Sequence, residues 1–138
     1  MELTRRNALA IGAGAFAATI LPFQAFAAAD EAIAAFTGGA DVGEGGITLT
    51  SPEIAENGNT VPVSVDAPGA VSIILLAAGN PDPAVATANF GALAAKQSVA
   101  MRIRLAGSQD IVAVAKMADG SFVKTANAIK VTIGGCGG

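Results

Sequence analysis

The chain contains no histidine, no tryptophan and no tyrosine, and it has a single cysteine, Cys136. Each absence removes a class of chemistry. Without histidine, a mononuclear copper site, a zinc protease site and a Ser-His-Asp triad are excluded. With one cysteine, an internal disulfide is impossible. Positive charge is also scarce: 8 Lys and Arg stand against 11 Asp and Glu, for a formal net charge of −3. No basic patch is present to neutralise phosphates, so nucleic acid is not an expected partner.

The N-terminus is apolar, and it inflates the mean hydropathy of +0.56. Residues 1–27 read as an export signal. Arg5 and Arg6 form a short basic region, Ala8 to Leu21 is apolar, and Ala25-Phe26-Ala27 supplies small residues at a cleavage point expected within Ala27 to Ala29. The apolar stretch is short and rich in Ala and Gly, whereas a membrane span wants roughly 20 apolar residues. Thr4-Arg5-Arg6-Asn7-Ala8-Leu9 resembles a twin-arginine signal, the type that exports folded proteins, with Ala8 where that motif usually has Phe. An ordinary secretory signal is the alternative, and either route ends outside the cytoplasm. The expected location is the periplasm, with no membrane association after cleavage. Cleavage after Ala27 removes one acid, Glu2, and two bases, Arg5 and Arg6, taking the net charge from −3 to −4.

Three segments are therefore expected: the signal at 1–27, a folded domain at 28–133 and a short arm at 134–138. Asp30 to Phe36 predicts a helix of two turns with its acids near the N-terminus, stopped by Gly38-Gly39. Gly43 to Gly46 predicts a loop. From Ile47 the pattern is strand after strand. Ile47 to Thr50 alternates, and Asn57-Gly58 is a turn signal. Val61, Val63 and Val65 share one face, and Pro62 predicts an edge strand or a bulge because it donates no backbone hydrogen bond. Val71 to Ala78 is apolar on both faces, as a central strand between two packed layers would be. Asn80 to Asn89, with Pro81 and Pro83, predicts a crossover loop. Met101, Ile103 and Leu105 alternate with Arg102 and Arg104, which point outward. Ile111 to Met117 is joined to Phe122-Val123 through Asp119-Gly120, a hairpin signal. Ile129, Val131 and Ile133 form the last strand. About seven strands with turn signals between them predict an all-β fold, an immunoglobulin-like antiparallel β-sandwich, with a partly open barrel as the alternative.

The chain ends Gly134-Gly135-Cys136-Gly137-Gly138. Glycine lacks a Cβ, so such a segment has wide backbone freedom, little width and no apolar surface to offset its ordering entropy. A flexible arm is expected from Gly134 onward, spanning at most about 16–18 Å. A thiol that acted within its own domain would be held beside a base, and there is no histidine to be that base. A free thiol titrates near ~8.5. The residues therefore point to a covalent carrier, activated by whichever enzyme binds the arm. A lone unpaired thiol in an oxidising compartment is a liability without such a task. No residue is expected to be catalytic, and no cofactor or metal is expected.

This terminus resembles that of the SoxY family, the sulfur-carrier subunits of the bacterial thiosulfate-oxidising Sox system. The resemblance extends through Pro52-Glu53-Ile54-Ala55-Glu56-Asn57-Gly58, Val61-Pro62-Val63, Asn80-Pro81, Arg102-Ile103-Arg104-Leu105 and Lys130-Val131-Thr132-Ile133. It implies a heterodimer with a SoxZ-like subunit and thiosulfate-derived sulfur bound covalently to Cys136. It also implies transient visits to three Sox enzymes: a haem cytochrome that loads thiosulfate, a dimanganese hydrolase that releases sulfate to leave a persulfide, and a sulfane dehydrogenase. Arg102 and Arg104 would face the partner or anionic sulfur, or simply solvent, and Phe90 the partner or the core. Two rival readings stand beside this one. A ubiquitin-like carrier uses a terminal Gly-Gly as a thiocarboxylate, but needs a β-grasp fold with a mid-sequence helix. An exported structural or adhesion sandwich would use Cys136 for an intermolecular disulfide.

Overall fold

In the computed structural model, which describes residues 23–134, two β-sheets face each other and one helix covers the outer face of the larger sheet. The order along the chain is α1 (Phe23–Thr37), β1 (Val42–Glu44), β2 (Thr48–Thr50), β3 (Ile54–Ala55), β4 (Val61–Asp66), β5 (Ala70–Ala77), β6 (Ala84–Asn89), β7 (Ser98–Ile103), β8 (Gln109–Met117) and β9 (Phe122–Val131). The larger sheet runs β1-β9-β8-β5-β6, with β3 also pairing β9, and the smaller runs β2-β4-β7. The expected immunoglobulin-like sandwich is therefore the fold. Two short parallel pairings, β1 and β3 against β9, are added to otherwise antiparallel sheets.

The double-faced reading of Val71 to Ala78 explains the layering. Ile73, Leu75 and Ala77 of β5 enter the sandwich core beside Ile111 and Ala113 of β8, facing Val61, Val63 and Val65 of β4. The intervening Ile74 and Leu76 form a second cluster with Val114, under Ile33 and Phe36 of α1. A strand with water on one side would carry polar residues at alternate positions; this one is roofed on both sides and carries none in its centre. Each fully buried Leu or Ile contributes about 1.5–3 kcal/mol through area removed from water.

Several elements differ from the sequence-based expectation. The helix starts at Phe23 rather than Asp30, because the alanine-rich run upstream favours helix; its first turn then holds no acid. It ends as expected at Gly38 and Gly39, whose φ angles of +67° and +84° are left-handed. The expected Gly43–Gly46 loop contributes β1 through Gly43 and Glu44. The expected crossover at Asn80–Asn89 becomes a strand, β6, once Pro83 is passed. Phe122-Val123 and the expected last strand join in one strand, β9, bridged by pairing of Lys124 to Ala128 with β8; it stops at Val131, short of the expected Ile133. Pro62 lies in the middle strand of its sheet rather than an edge strand. It is accommodated because β2 stops at Thr50, opposite Ser64, so Pro62 is paired only to Arg102 of β7.

Candidate functional site

Cys136, Gly135, Gly137 and Gly138 lie outside the described residues, and Gly134 is the last described residue. The structure thus shows the base from which the cysteine-bearing segment departs. β9 leads to it from the Asp119-Gly120 turn, a run of ten residues, roughly 30 Å at strand rise.

From Val131, the last strand residue, onward, the backbone is held step by step. The Val131 N–H donates to Ser108 Oγ at 2.9 Å, and that hydroxyl lies 3.3 Å from the Val131 carbonyl. The Thr132 N–H donates to the Ala55 carbonyl at 3.0 Å, and the Thr132 hydroxyl to the Glu56 carbonyl at 2.9 Å. The Ile133 carbonyl accepts from the Gly58 N–H at 2.7 Å, while the Gly58 carbonyl accepts from the Leu105 N–H at 2.8 Å. Gly58 therefore ties the segment just after β9 to the segment just after β7. The Asn57-Gly58 turn forms as expected, with Asn57 Oδ1 accepting from the Asn59 N–H at 3.0 Å.

Gly134 then passes over the segment linking β7 and β8. A Cβ on Gly134 would lie 2.5 Å from the Ala106 carbonyl oxygen, so no larger residue fits without movement. The Ala106 segment is itself braced by side chains. Asn80 donates from Nδ2 to the Arg104 carbonyl at 2.8 Å, and its Oδ1 accepts from the Ala106 N–H at 2.9 Å and from Gln109 Nε2 at 2.8 Å. Gln109 Nε2 also reaches the Gly107 carbonyl at 3.1 Å, and Gln109 Oε1 accepts from the Gly79 N–H at 2.8 Å. Asn80 and Gln109 were not singled out as site residues from the sequence. Asn80-Pro81 belongs to the stretches that carry the family resemblance, without a role read from it.

Arg102 and Arg104 are both exposed, as the alternation predicted. Arg102 lines an open groove of about 670 Å³ with Pro62, Ser64 and Ala100, on the outer face of the smaller sheet. Arg104 opens the braced segment. Phe90 is partly buried and packs against the sandwich core. Among the described residues, no group of three or more Cys, Asp or Glu side chains is arranged to hold a metal ion. Asp119 lies away from this region, before the opposite end of β9, and its carboxyl is held below the ordinary value by the hydrogen bonds it accepts from the Ser121 hydroxyl and N–H.

Comparison with known proteins gives a consistent picture. The family profile for "Sulfur oxidation protein SoxY" matches residues 33–136, a span that ends on Cys136. The solved structure of the sulfur carrier protein SoxY from Chlorobium limicola f thiosulfatophilum is similar at 35% identity. The match covers 78% of this chain and 98% of that one, with a TM-score of 0.68. Superoxide reductase (neelaredoxin) from Ignicoccus hospitalis is similar at 17% identity, over 63% of this chain and 80% of that one, with a TM-score of 0.56. At that identity the likeness concerns the fold alone. No curated protein matches the chain.

Proposed function

Because the chain belongs to the SoxY family of sulfur-oxidation carrier proteins, we propose that Cys136 is the point at which thiosulfate-derived sulfur is covalently attached, in the periplasm. The observation that carries this reading is the family match over residues 33–136, whose last residue is Cys136 itself. The held end of β9 supports it, since a carrier needs a firm base for the segment that bears its thiol.

The chemistry balances without a base from this domain. The Cys136 thiol and the outer sulfur of thiosulfate join in an S–S bond, releasing one proton and two electrons. The haem cytochrome of the Sox system takes the electrons. Water then attacks the sulfone sulfur at a dimanganese hydrolase, and sulfate leaves with a proton release, so that Cys136 keeps the outer sulfur as a persulfide. Where a sulfane dehydrogenase is present, that sulfur is oxidised by removal of six electrons with oxygen supplied by three waters. A final hydrolysis frees sulfate and the thiol. The chain itself is a carrier without turnover chemistry of its own.

A heterodimer with a SoxZ-like subunit belongs to the same proposal. Among the described residues β6 pairs on one side only, and Ala84-Val85-Ala86-Thr87-Ala88-Asn89 holds no charge to protect a free edge. A domain of about 110 residues gains from covering such surface.

The test is mass spectrometry of the exported protein after incubation with thiosulfate and the Sox enzymes. Sulfur adducts localised to Cys136, absent in Cys136→Ser, are the expected result. Loading that persists in Cys136→Ser overturns the carrier assignment. Adducts on the terminal carboxylate would point to the thiocarboxylate chemistry, and a homodisulfide alone to the adhesion reading. N-terminal sequencing of the same sample checks for export, with a start within Ala27 to Ala29 expected.

A further inference from the structure

Asn80 and Gln109 lie 29 residues apart in sequence and are joined amide to amide. Together their side chains engage the Arg104 carbonyl, the Ala106 N–H, the Gly107 carbonyl and the Gly79 N–H. Apart from the buried Leu105, this segment between β7 and β8 is exposed or half-buried, and water could satisfy its outermost backbone groups at little cost. Binding them with two side chains instead adds rigidity, because amide networks reinforce one another and fix a single arrangement.

Two close approaches show where that rigidity is directed. A Cβ on Gly79 would lie 2.9 Å from Gln109 Cβ, so the Gly79 turn and the Gln109 side chain are pressed together. At the other end of the network, Gly134 sits against the Ala106 carbonyl, where a Cβ would come within 2.5 Å. The series Gly79, Gln109, Asn80, Ala106, Gly134 is continuous, and its last member is where the described chain ends. The segment enters the sandwich core through Leu105, which is fully buried, whereas Asn80 and Gln109 themselves are only partly buried and belong to neither hydrophobic cluster.

We propose that the segment from Arg104 to Gln109, cross-braced by the side chains of Asn80 and Gln109, is a collar that fixes where the chain beyond Gly134 leaves the domain. Asn80 and Gln109 are then positioning residues for Cys136, which they act on through Ala106 and Gly134. The inference rests on the carrier reading above for its functional consequence, and on the geometry alone for its structural one. Its specificity for a partner enzyme follows: a thiol on a tether reaches a narrow cleft more often when the tether starts from a fixed point, since less orientational freedom remains to be lost on binding.

The test uses the whole exported chain. Nitroxide labels are placed on Cys136 and on Leu93→Cys, a position 98% exposed, and the distance distribution between them is measured by pulsed electron paramagnetic resonance. Asn80→Ala and Gln109→Ala should each broaden or shift that distribution. In the reconstituted system, without labels, each should raise the KM for the carrier by roughly tenfold with kcat unchanged. Asn80→Asp keeps the two acceptor contacts and loses the donor to Arg104, so it should fall between Ala and the parent. The rate at which a small disulfide reagent modifies Cys136 should not move in any variant, since the thiol's own chemistry is untouched. Should Asn80→Ala fail to fold, Gln109→Ala carries the test. A distance distribution unchanged in Gln109→Ala overturns the collar, and so does an unchanged KM. A parent protein that carries no sulfur at Cys136 would instead sink the carrier reading, while the distance measurement would still decide the collar.

Discussion

Phe36 of α1 meets Phe122 of β9 edge to face, with ring centroids 5.9 Å apart and planes at 75°. The pair joins the helix to the first residue of the strand that leads to Gly134. Beside it, Ile33 packs on Ile74, Leu76 and Val114. The helix is thus docked by one short apolar stripe, with Ala32, Ile33 and Phe36 at the spacing that places them on one face.

Truncation of Phe36 should therefore loosen the helix without destroying the sandwich. Phe36→Ala is expected to lower stability by about 1–2 kcal/mol, less than a fully buried phenylalanine would, because the ring is only partly covered. Denaturant melts give the stability, and amide exchange shows where protection is lost. Loss should concentrate in α1, while β5 and β8 keep theirs. A cooperative collapse of protection across both sheets would show that the helix is integral to the core.

The turn before β9 makes a prediction about acid. Asp119 Oδ1 accepts from the Ser121 hydroxyl at 2.6 Å and the Ser121 N–H at 2.9 Å. These bonds, the side-chain one first, hold its carboxyl below the ordinary value of 3.8. A depressed folded-state value means the stabilisation is fully present above the unfolded value and is lost as pH falls through the folded one. The group is fully exposed, so the effect is small. Melting temperatures of the parent and Asp119→Ala should differ at neutral pH and converge as pH drops below 3.8. A difference that stays constant on acidification would assign the effect to turn geometry alone.

Much of this architecture was legible in the sequence because it follows from local alternation. The alternation of Val61, Val63 and Val65 defines an inward face, and the double-sided apolar run in β5 requires two covering layers. What escaped was pairing between distant segments. β1 and β3 are three and two residues long, too short for any period, and exist because β9 offers them a parallel partner. β6 was hidden by Pro81 and Pro83, which punctuate its approach and not its body. Lys124 to Ala128 lacks apolar alternation, but pairing with β8 carries the strand through it. The cysteine proposed as the attachment point stands out in the sequence through its glycine bracket, and it lies outside the described residues. The Asn80–Gln109 brace does not stand out, since its partners are separated by 24 to 30 residues and no short window contains both.

The glycines of the terminal segment carry the final prediction. If slenderness is what the partner enzymes require, bulk should harm loading even where the thiol is kept. Gly135→Val with Gly137→Val adds β-branched side chains on both sides of Cys136, restricting φ and ψ and widening the segment. The buried residues of the described domain end at Ile129, so the double variant should change folding stability by no more than roughly 0.5 kcal/mol. Thiosulfate-dependent cytochrome reduction should nonetheless fall sharply. Gly135→Ala with Gly137→Ala, which adds one methyl at each place, should give a smaller loss, because alanine widens the segment least. The measurements are thermal melts and reconstituted turnover for both pairs. Parental turnover in the valine pair would show that the clefts that receive Cys136 do not select for a narrow chain, and that the glycines serve some purpose other than access.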